Sequence, residues 1–270
     1  MRRNLDIEAP FVMWLVAAIV LVGMTRLTLL TVTAQAPKPA PRLLNGKPDF
    51  TGVWDHPRVG DVTKDVDGAC AAGTRGCKNL GAGELSFTPA GKAEWDKNNK
   101  PTTYDYGSHC LPWGFVRSYN TPYPHAYVHH PDRLVILWEQ DNRFQMVPTD
   151  GRTLPTDLEP AWMGTSVGRW EGDTLVVQAA GFNGRTWLDT AQHPHSDALR
   201  LTIRMTRPDY DHLAWDITME DPKFYTKPIR NVRTFVLMPA GQELYEYSCN
   251  ENNRCEGGNC VQADVQKTSR

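Results

Sequence analysis

Two histidines and two aspartates lie close together between residues 189 and 197. His193 and His195 are two positions apart, and Asp189 and Asp197 flank them. Histidine titrates near neutral pH and a carboxylate can orient its ring, so these residue types suit acid–base chemistry. His195 and Asp189 are therefore the catalytic candidates for a hydrolase or lyase. The alternative for His195 is a hydrogen-bonded structural role that ties a loop to the end of a strand.

A metal site built on the same segment would need ligands from elsewhere. A His-Pro-His spacing brings both rings to one side only in an extended segment, and a third ligand would have to come from His125, His129 or His130. The cysteines include no CxxC pair of the kind found in zinc and iron–sulfur sites. We therefore predict neither a metal nor another cofactor.

Arginines and tryptophans in predicted loops form a second group of candidates. A guanidinium offers paired donors in a fixed geometry that suits a carboxylate or phosphate. The alternative for Arg152 is a tight turn in which it pairs with a neighbouring carboxylate. Tryptophans outside the strands can line a ligand pocket. The predicted ligand-binding residues are Arg117, Arg152, Trp113, Trp162, Trp187, Asn183 and His193. Four other tryptophans are predicted to pack in the core, namely Trp54, Trp138, Trp170 and Trp215.

Several classes of function receive no support from the sequence. It contains no nucleophile elbow, phosphate loop, dinucleotide fingerprint or zinc-protease motif. The 29 Lys and Arg residues are balanced by 31 Asp and Glu residues, and no basic stripe is present. We therefore expect no nucleic-acid partner, and the missing motifs favour a protein that is not an enzyme.

The elements that position these residues are predicted to be strands. Thr174 to Ala179 follows Ser166 to Trp170 after a turn with Gly172 at its centre, which is typical of a β-hairpin. No ten-residue helical pattern separates the strands, which excludes a parallel α/β sheet. We predict an all-β fold, an antiparallel lipocalin-like barrel or a highly curved sheet, because closure removes exposed edges. The other predicted strands are Asp49–Trp54, Leu134–Glu139, Arg143–Pro148, Ala198–Thr206, His212–Met219, Asn231–Met238 and Glu243–Cys249.

Residues 57–109 lack a sustained period, apart from a short helix predicted over Pro89 to Lys97. Long irregular regions in compact domains are either functional lids or loosely held surface. We keep both interpretations for this region.

The N-terminus carries a targeting signal. Arg2 and Arg3 precede an apolar run from Phe11 to Met24, and Ala34-Gln35-Ala36 matches a cleavage site. Residues 1–36 are thus predicted to form a hydrophobic helix, either a cleaved signal peptide or a single transmembrane anchor. Both interpretations place the protein in the periplasm or on the outer face of the cytoplasmic membrane. A Pro-rich linker (37–47), the barrel domain (48–252) and a C-terminal tail (253–270) are predicted to follow.

Six cysteines fit an oxidising compartment. Two pairs bracket short loops, and pairing them leaves two cysteines to close most of the domain. Other connectivities are possible for six cysteines. The predicted disulfides are Cys70–Cys77, Cys110–Cys249 and Cys255–Cys260.

Six motifs, taken together, resemble those of a family of uncharacterised secreted bacterial proteins. They are CLPWGFVR, TDGRTLP, GTSVGRWEGDTLVV, GFNGRTWLD, HPHSDAL and EDPKFYTKP, and the resemblance covers roughly residues 48–252. It implies no particular activity. This chain has Val116 where related chains usually have proline. Separately, Gly52 and Trp54 resemble the start of lipocalin-like barrels, in which the tryptophan plugs one end of the barrel.

The predicted function is an extracytoplasmic β-barrel domain that binds a small apolar or aromatic molecule. One alternative is a membrane-anchored accessory subunit of an integral membrane complex, which would contact the membrane through a retained N-terminal segment. The other alternative is a hydrolase or lyase that uses His195 and Asp189.

Overall fold

A computed structural model describes residues 36–55, 61–63, 85–100, 103, 105–249, 254–255 and 258–259. The predicted N-terminal helix and the predicted pair Cys70–Cys77 lie outside the described residues, as does Cys260. Within the described ranges, no helix is both long and apolar enough to cross a membrane.

Nine antiparallel strands form the main sheet, and two two-residue strands form a separate hairpin near the C-terminus. The strands of the main sheet are β1 (Gly52–Asp55), β2 (His125–His130), β3 (Arg133–Trp138), β4 (Arg143–Pro148), β5 (Thr165–Glu171), β6 (Thr174–Ala180), β7 (Arg200–Thr206), β8 (His212–Glu220) and β9 (Ile229–Leu237). The separate hairpin consists of β10 (Arg254–Cys255) and β11 (Gly258–Asn259).

The sheet curves into a nearly closed barrel. Its strand order is β4-β3-β2-β1-β9-β8-β7-β6-β5, so the first strand pairs with the ninth. All eight pairs of neighbouring strands in this order are antiparallel. Because the number of strands is odd, the two outermost strands, β4 and β5, run in the same direction where they meet at the remaining seam. Gln145 Nε2 on β4 donates a 2.9 Å hydrogen bond to Ser166 Oγ on β5 across this seam.

Alternation along the strands explains why the sheet folds with its apolar side inward. In β7, Leu201, Ile203 and Met205 are buried, whereas the intervening side chains point outward. Tyr127 and Trp215 enter the same interior from β2 and β8. The interior is thus filled by large side chains, as in other small barrels.

Among the described residues between β1 and β2 there are two α-helices. Helix α1 (Pro89–Asn98) begins with proline at its first position and is capped by Thr88, whose hydroxyl accepts a 3.1 Å bond from Gly91 N. Helix α2 (Phe115–Tyr119) is buried throughout, and Phe115 packs edge-on against Trp138 at 5.6 Å between ring centroids. Helix α2 therefore adds to the barrel core.

The two ends of the barrel differ. The hairpin end carries the β2–β3, β5–β6 and β7–β8 turns, and there the Arg207 guanidinium lies 4.7 Å from the centroid of the buried Trp54 ring. The loop end carries the long connections from β1 to β2, from β6 to β7 (residues 181–199) and from β8 to β9 (residues 221–228). Any site at the loop end must therefore be built by these connections.

The structure confirms the predicted all-β fold as a mostly antiparallel, nearly closed barrel-like sheet, with nine strands where lipocalins have eight. Trp54, Trp138 and Trp215 are core residues as predicted, and Trp170 packs against the core. The predicted strand Glu243–Cys249 is wrong. That segment lies outside the sheet, where its backbone bonds to side chains instead, as Tyr245 N does to Glu139 Oε2 at 2.8 Å. Strand β2 was not predicted, because its histidines and Tyr127 interrupt the alternation of apolar and polar residues that is typical of a strand.

Candidate functional site

The β6–β7 connection at the loop end holds both catalytic candidates, but they do not pair with each other. Asp189 is fully buried and accepts hydrogen bonds from the His193 ring at Nδ1 (2.6 Å), from His193 N (3.1 Å) and from Val62 N (2.7 Å). The His193 ring stacks on Trp95 of helix α1, with 5.7 Å between centroids and 9° between planes. Asp189 therefore orients His193 and closes the loop between them.

His195 is held by a different set of partners, which fixes its tautomer. Its Nδ1 lies 3.0 Å from the carbonyl oxygen of Ser196, and a carbonyl can only accept, so Nδ1 carries the hydrogen. Nε2 then accepts a 2.6 Å bond from the Thr186 hydroxyl. Burial lowers the pKa of His195, opposed by the Ser196 carbonyl and the charge of Asp221. The ring is thus neutral with both nitrogens occupied.

A hydroxyl that donates to a neutral imidazole is the arrangement that activates a nucleophile. At Thr186 the only access in the described structure is a small cleft between helix α1 and the β6–β7 connection, because little of the residue is exposed. Thr186 and His195 are buried, and a Cβ placed on Gly114 would lie 2.5 Å from Thr186 Oγ1. The backbone of Gly114 therefore covers the hydroxyl closely. The geometry supports a structural role for His195, whose two hydrogen bonds hold together residues 186 and 195–196 of the β6–β7 connection.

The neighbouring Ser196 joins two connections of the loop end. Its backbone N donates a 2.5 Å bond to one oxygen of Asp221, and its hydroxyl donates a 2.7 Å bond to the other. Tyr225, which lies four residues after Asp221, donates a 2.7 Å hydrogen bond from its hydroxyl to the Pro194 carbonyl. These bonds fix the β6–β7 connection against the β8–β9 connection.

Three of the predicted ligand-binding residues come together around a buried guanidinium. Arg117 lies 4.5 Å from the ring centroid of Trp113 and 5.5 Å from that of Trp187, and Tyr106 provides a third ring at 5.0 Å. Both terminal nitrogens of Arg117 donate to the carboxylate of Asp105, at 2.8 and 2.5 Å. Arg117 is therefore a cation held by aromatic faces and one carboxylate, rather than an open clamp for a ligand.

The electrostatics of the Arg117 pair agree with this interpretation. Burial raises the pKa of Asp105, but the hydrogen bonds and charge of Arg117 outweigh it, and the net pKa is lowered. Trp187 is only 7% exposed and its backbone N bonds to the Tyr106 hydroxyl at 3.0 Å. These residues fasten the segment before helix α2 onto the β6–β7 connection.

The remaining predicted ligand-binding residues lie apart from one another. Arg152 is exposed and pairs with Asp150 within its own turn, with 2.5 Å between Nη2 and Oδ2. This is the arrangement that the alternative interpretation of Arg152 predicts. The Asn183 side chain accepts a 3.1 Å bond from Arg185 N inside its loop. Trp162 is half-buried in the connection that precedes β5. None of these three contributes to a shared binding surface with Arg117.

The loop end also contains a cleft of about 620 Å³ between four stretches of chain. Its floor consists of the buried residues Phe182, Leu199 and Tyr225. Its sides are formed by the 156–160 stretch and by two exposed prolines of the β8–β9 connection, while its rim carries charges of both signs. The charged rim residues are Asp197, Arg200, Glu220 and Lys227. Apolar floors with a few polar groups at the edge are typical of small-molecule sites.

None of the seven predicted ligand-binding residues lines this cleft. A smaller cleft of about 330 Å³ lies between helix α1 and the β6–β7 connection, and its lining includes Thr186, Trp187 and His195. The larger cleft was missed because its floor is assembled from residues far apart in sequence. A signal was nevertheless present, since three of the quoted motifs (GFNGRTWLD, HPHSDAL and EDPKFYTKP) each contribute one floor residue.

One group of metal-ligand side chains occurs within the described ranges. Asp61, Asp189 and His193 place donor atoms within 4.8 Å of one another. Two of these residues already bond to each other through His193 Nδ1, and Asp61 Oδ1 accepts bonds from the Thr63 backbone and hydroxyl. The arrangement is accounted for by these hydrogen bonds, and we base no metal site on it.

The disulfide between Cys110 and Cys249 confirms the predicted long closure, with a sequence separation of 139 and 5.5 Å between the two Cα atoms. The bond fastens the chain beyond β9 to the segment that carries the Arg117 cluster. A disulfide of this kind fits an oxidising compartment.

Comparison of the chain with protein-family models, with curated proteins and with solved structures found no match.

Proposed function

We propose that this β-barrel domain binds a small molecule with an apolar or aromatic body in the loop-end cleft, outside the cytoplasm. The observation that carries the proposal is the cleft itself, with its floor of Phe182, Leu199 and Tyr225 and its charged rim. Its volume of about 620 Å³ lies within the usual range for small-molecule sites.

The site is proposed at the loop end rather than in the barrel interior for a physical reason. Rings and branched side chains from the strands occupy the interior, and helix α2 adds Phe115 and Tyr119 to them. A ligand there would have to displace packed side chains, at a cost of several kcal/mol for each emptied position. At the cleft, a ligand instead covers an apolar floor that is already formed.

The charged rim supports a ligand that is amphipathic. Arg200 on β7 lies in register with Glu220 on β8, and Lys227 follows in the β8–β9 connection. Arg200 and Lys227 offer donors to an acidic group, and Glu220 offers an acceptor to a basic one. Location outside the cytoplasm is supported by the predicted N-terminal signal and by the Cys110–Cys249 bond.

The test blocks the cleft without removing a core contact. Ala198 lines the cleft and is half-buried, so Ala198→Trp places a large ring in the ligand's space. The matched control is Ala240→Trp in the exposed turn after β9. The probe is 8-anilino-1-naphthalenesulfonate, an aromatic anion whose fluorescence rises in apolar surroundings.

We expect saturable binding of this probe to the parent protein and to Ala240→Trp, and at least a tenfold weaker affinity for Ala198→Trp. Melting temperatures should agree within a few degrees across the three proteins. Equal affinity of the two tryptophan variants would reject the cleft as the binding site.

A further inference from the structure

The outward charges of β7 and β8 form two cross-strand pairs of opposite sign. In the strand register, Arg204 lies opposite Asp216 near the middle of the strands, and Arg200 lies opposite Glu220 at the loop end. Side chains of directly opposite residues stand on the same face of a sheet and are close neighbours. The two pairs are therefore alike in sign and setting, and they can be compared directly.

The pair in the middle of the strands is occupied by other partners. Arg204 Nη1 donates a 2.8 Å hydrogen bond to Glu171 Oε2. Arg230 on β9 donates to both carboxylate oxygens of Asp216, at 2.8 and 2.6 Å. A ligand that bound these side chains would have to displace an existing ion pair.

The pair at the loop end is open. Within the part of the chain that the structure describes, neither Arg200 nor Glu220 makes an ion pair or a side-chain hydrogen bond, although they lie opposite each other. Both are exposed and line the loop-end cleft. The exposed Lys227 also lines the cleft, and it too has no such partner among the described residues.

The other two carboxylates of the cleft are already engaged. Asp197 pairs with Lys223. Asp221 is buried, and its oxygens accept hydrogen bonds from Ser196 N and Ser196 Oγ. The charges left for a ligand are thus two cations and one carboxylate.

Free groups of both signs in neighbouring positions favour a ligand that carries both signs. A ligand with only a carboxylate would gain a contact with Arg200, but it would meet the like charge of Glu220 beside it. A ligand with only an ammonium group would have the opposite difficulty. A zwitterion contacts both side chains without this repulsion, and Lys227 offers its carboxylate a second donor.

We propose that the loop-end cleft binds an α-amino acid with an apolar or aromatic side chain. The carboxylate of the amino acid binds Arg200 and Lys227, its ammonium group binds Glu220, and its side chain covers the apolar floor of the cleft. This inference rests on the proposed function, because it assigns a ligand class to the same cleft.

Three ligands with the same phenyl body test the proposal. They are L-phenylalanine, 3-phenylpropionate, which lacks the ammonium group, and 2-phenylethylamine, which lacks the carboxylate. Amide chemical-shift titration at Ala198 and Leu199, which both line the cleft, gives a dissociation constant for each ligand. At neutral pH we expect L-phenylalanine to bind about fivefold more tightly than either of the others.

Variants of the rim assign each charge to its partner. Arg200→Gln should weaken L-phenylalanine and 3-phenylpropionate about fivefold without weakening 2-phenylethylamine. Glu220→Gln should weaken L-phenylalanine and 2-phenylethylamine by a similar factor without weakening 3-phenylpropionate. The matched controls are Arg204→Gln and Asp216→Asn, which remove the same charges from the same two strands where they are already paired. Both controls should leave all three affinities unchanged.

The outcomes separate the ligand class from the cleft itself. Equal affinities for the three ligands, or tighter binding of 3-phenylpropionate than of L-phenylalanine, would overturn the amino-acid proposal and leave the cleft as a site for an apolar body. It is also overturned if 8-anilino-1-naphthalenesulfonate shifts the cleft signals and L-phenylalanine does not. No cleft shift with any ligand, this dye included, would instead reject the proposed function.

Discussion

At the scale of single residues, His129 and His195 are buried and held by partners that suit the neutral ring. His195 donates to a carbonyl and accepts from a hydroxyl, which only the neutral form can do. His129 accepts a 3.1 Å bond from Phe50 N at Nδ1 and stacks on the Phe50 ring at 5.1 Å. A proton on that nitrogen would remove the acceptor. His129 and His195 therefore make the fold sensitive to acid.

His129 yields a quantitative prediction for stability against pH. Burial lowers its pKa to about 4, although the charge of Asp49 opposes the shift. In the unfolded chain the pKa is about 6.5, so below that pH the unfolded state takes up a proton that the native state does not. The contribution of His129 to the free energy of unfolding is fully present above pH 6.5 and is lost as the pH falls towards 4. The loss is roughly 2 to 3 kcal/mol.

Urea unfolding of the parent and of His129→Phe at pH 7.5 and pH 4.5 measures this contribution. The phenylalanine variant keeps a ring at the stacking position but has no titrating group there. We expect the parent to lose roughly 2 to 3 kcal/mol more than the variant between the two pH values. The same loss in both proteins would show that His129 titrates normally in the native state.

At the scale of elements, the seam between β4 and β5 is the place where adjacent strands of the barrel lack a backbone ladder. These strands run in the same direction and are joined by side chains rather than by a backbone ladder. The bond from Gln145 to Ser166 is buried, so losing one partner leaves a polar group without a replacement from water. Gly168 lets the strands approach here, since a Cβ at that position would meet Val147 and Thr149 side chains at 3.1 Å.

A double-mutant cycle at the seam tests this account. Gln145→Ala should cost about 1 to 3 kcal/mol of unfolding free energy, because Ser166 Oγ loses its donor while remaining buried. The double variant, which also carries Ser166→Ala, should lose less unfolding free energy than the sum of the two single losses. The difference, which is the coupling energy, should be about 0.5 to 1.5 kcal/mol. Gln178→Ala on the outer side of β6 serves as the control. Additive losses would mean that the two side chains do not interact.

Elements with a clear period were predictable from the sequence, and those held by tertiary contacts were not. The hairpin around Gly172 and strand β7 follow from turn chemistry and alternation. Residues 243–249 alternate in the same way, but the Cys110–Cys249 bond and contacts with the β3–β4 turn hold them outside the sheet. Helix α2 has only five residues and is stabilised by burial of both of its faces, which no local period shows.

At the scale of the whole molecule, a packed barrel serves as a rigid support and the loop end carries the proposed site. The sequence identified the β6–β7 connection as unusual and paired Cys110 with Cys249, but it assigned His195 and Asp189 to each other. Their actual partners, Thr186 and His193, depend on how the connection folds back on itself. The cleft could not be predicted because Phe182, Leu199 and Tyr225 meet only after β6, β7 and the β8–β9 connection have assembled.

Amide chemical-shift mapping by NMR locates the bound ligand residue by residue. Titration of the protein with 8-anilino-1-naphthalenesulfonate should shift the amide signals of Phe182, Ala198 and Leu199 at the cleft, with saturation. Signals of Tyr127 and Ile136 in the barrel interior should stay unchanged. The largest saturable shifts at Tyr127 and Ile136, with the cleft residues unaffected, would contradict a loop-end site and place the ligand inside the barrel.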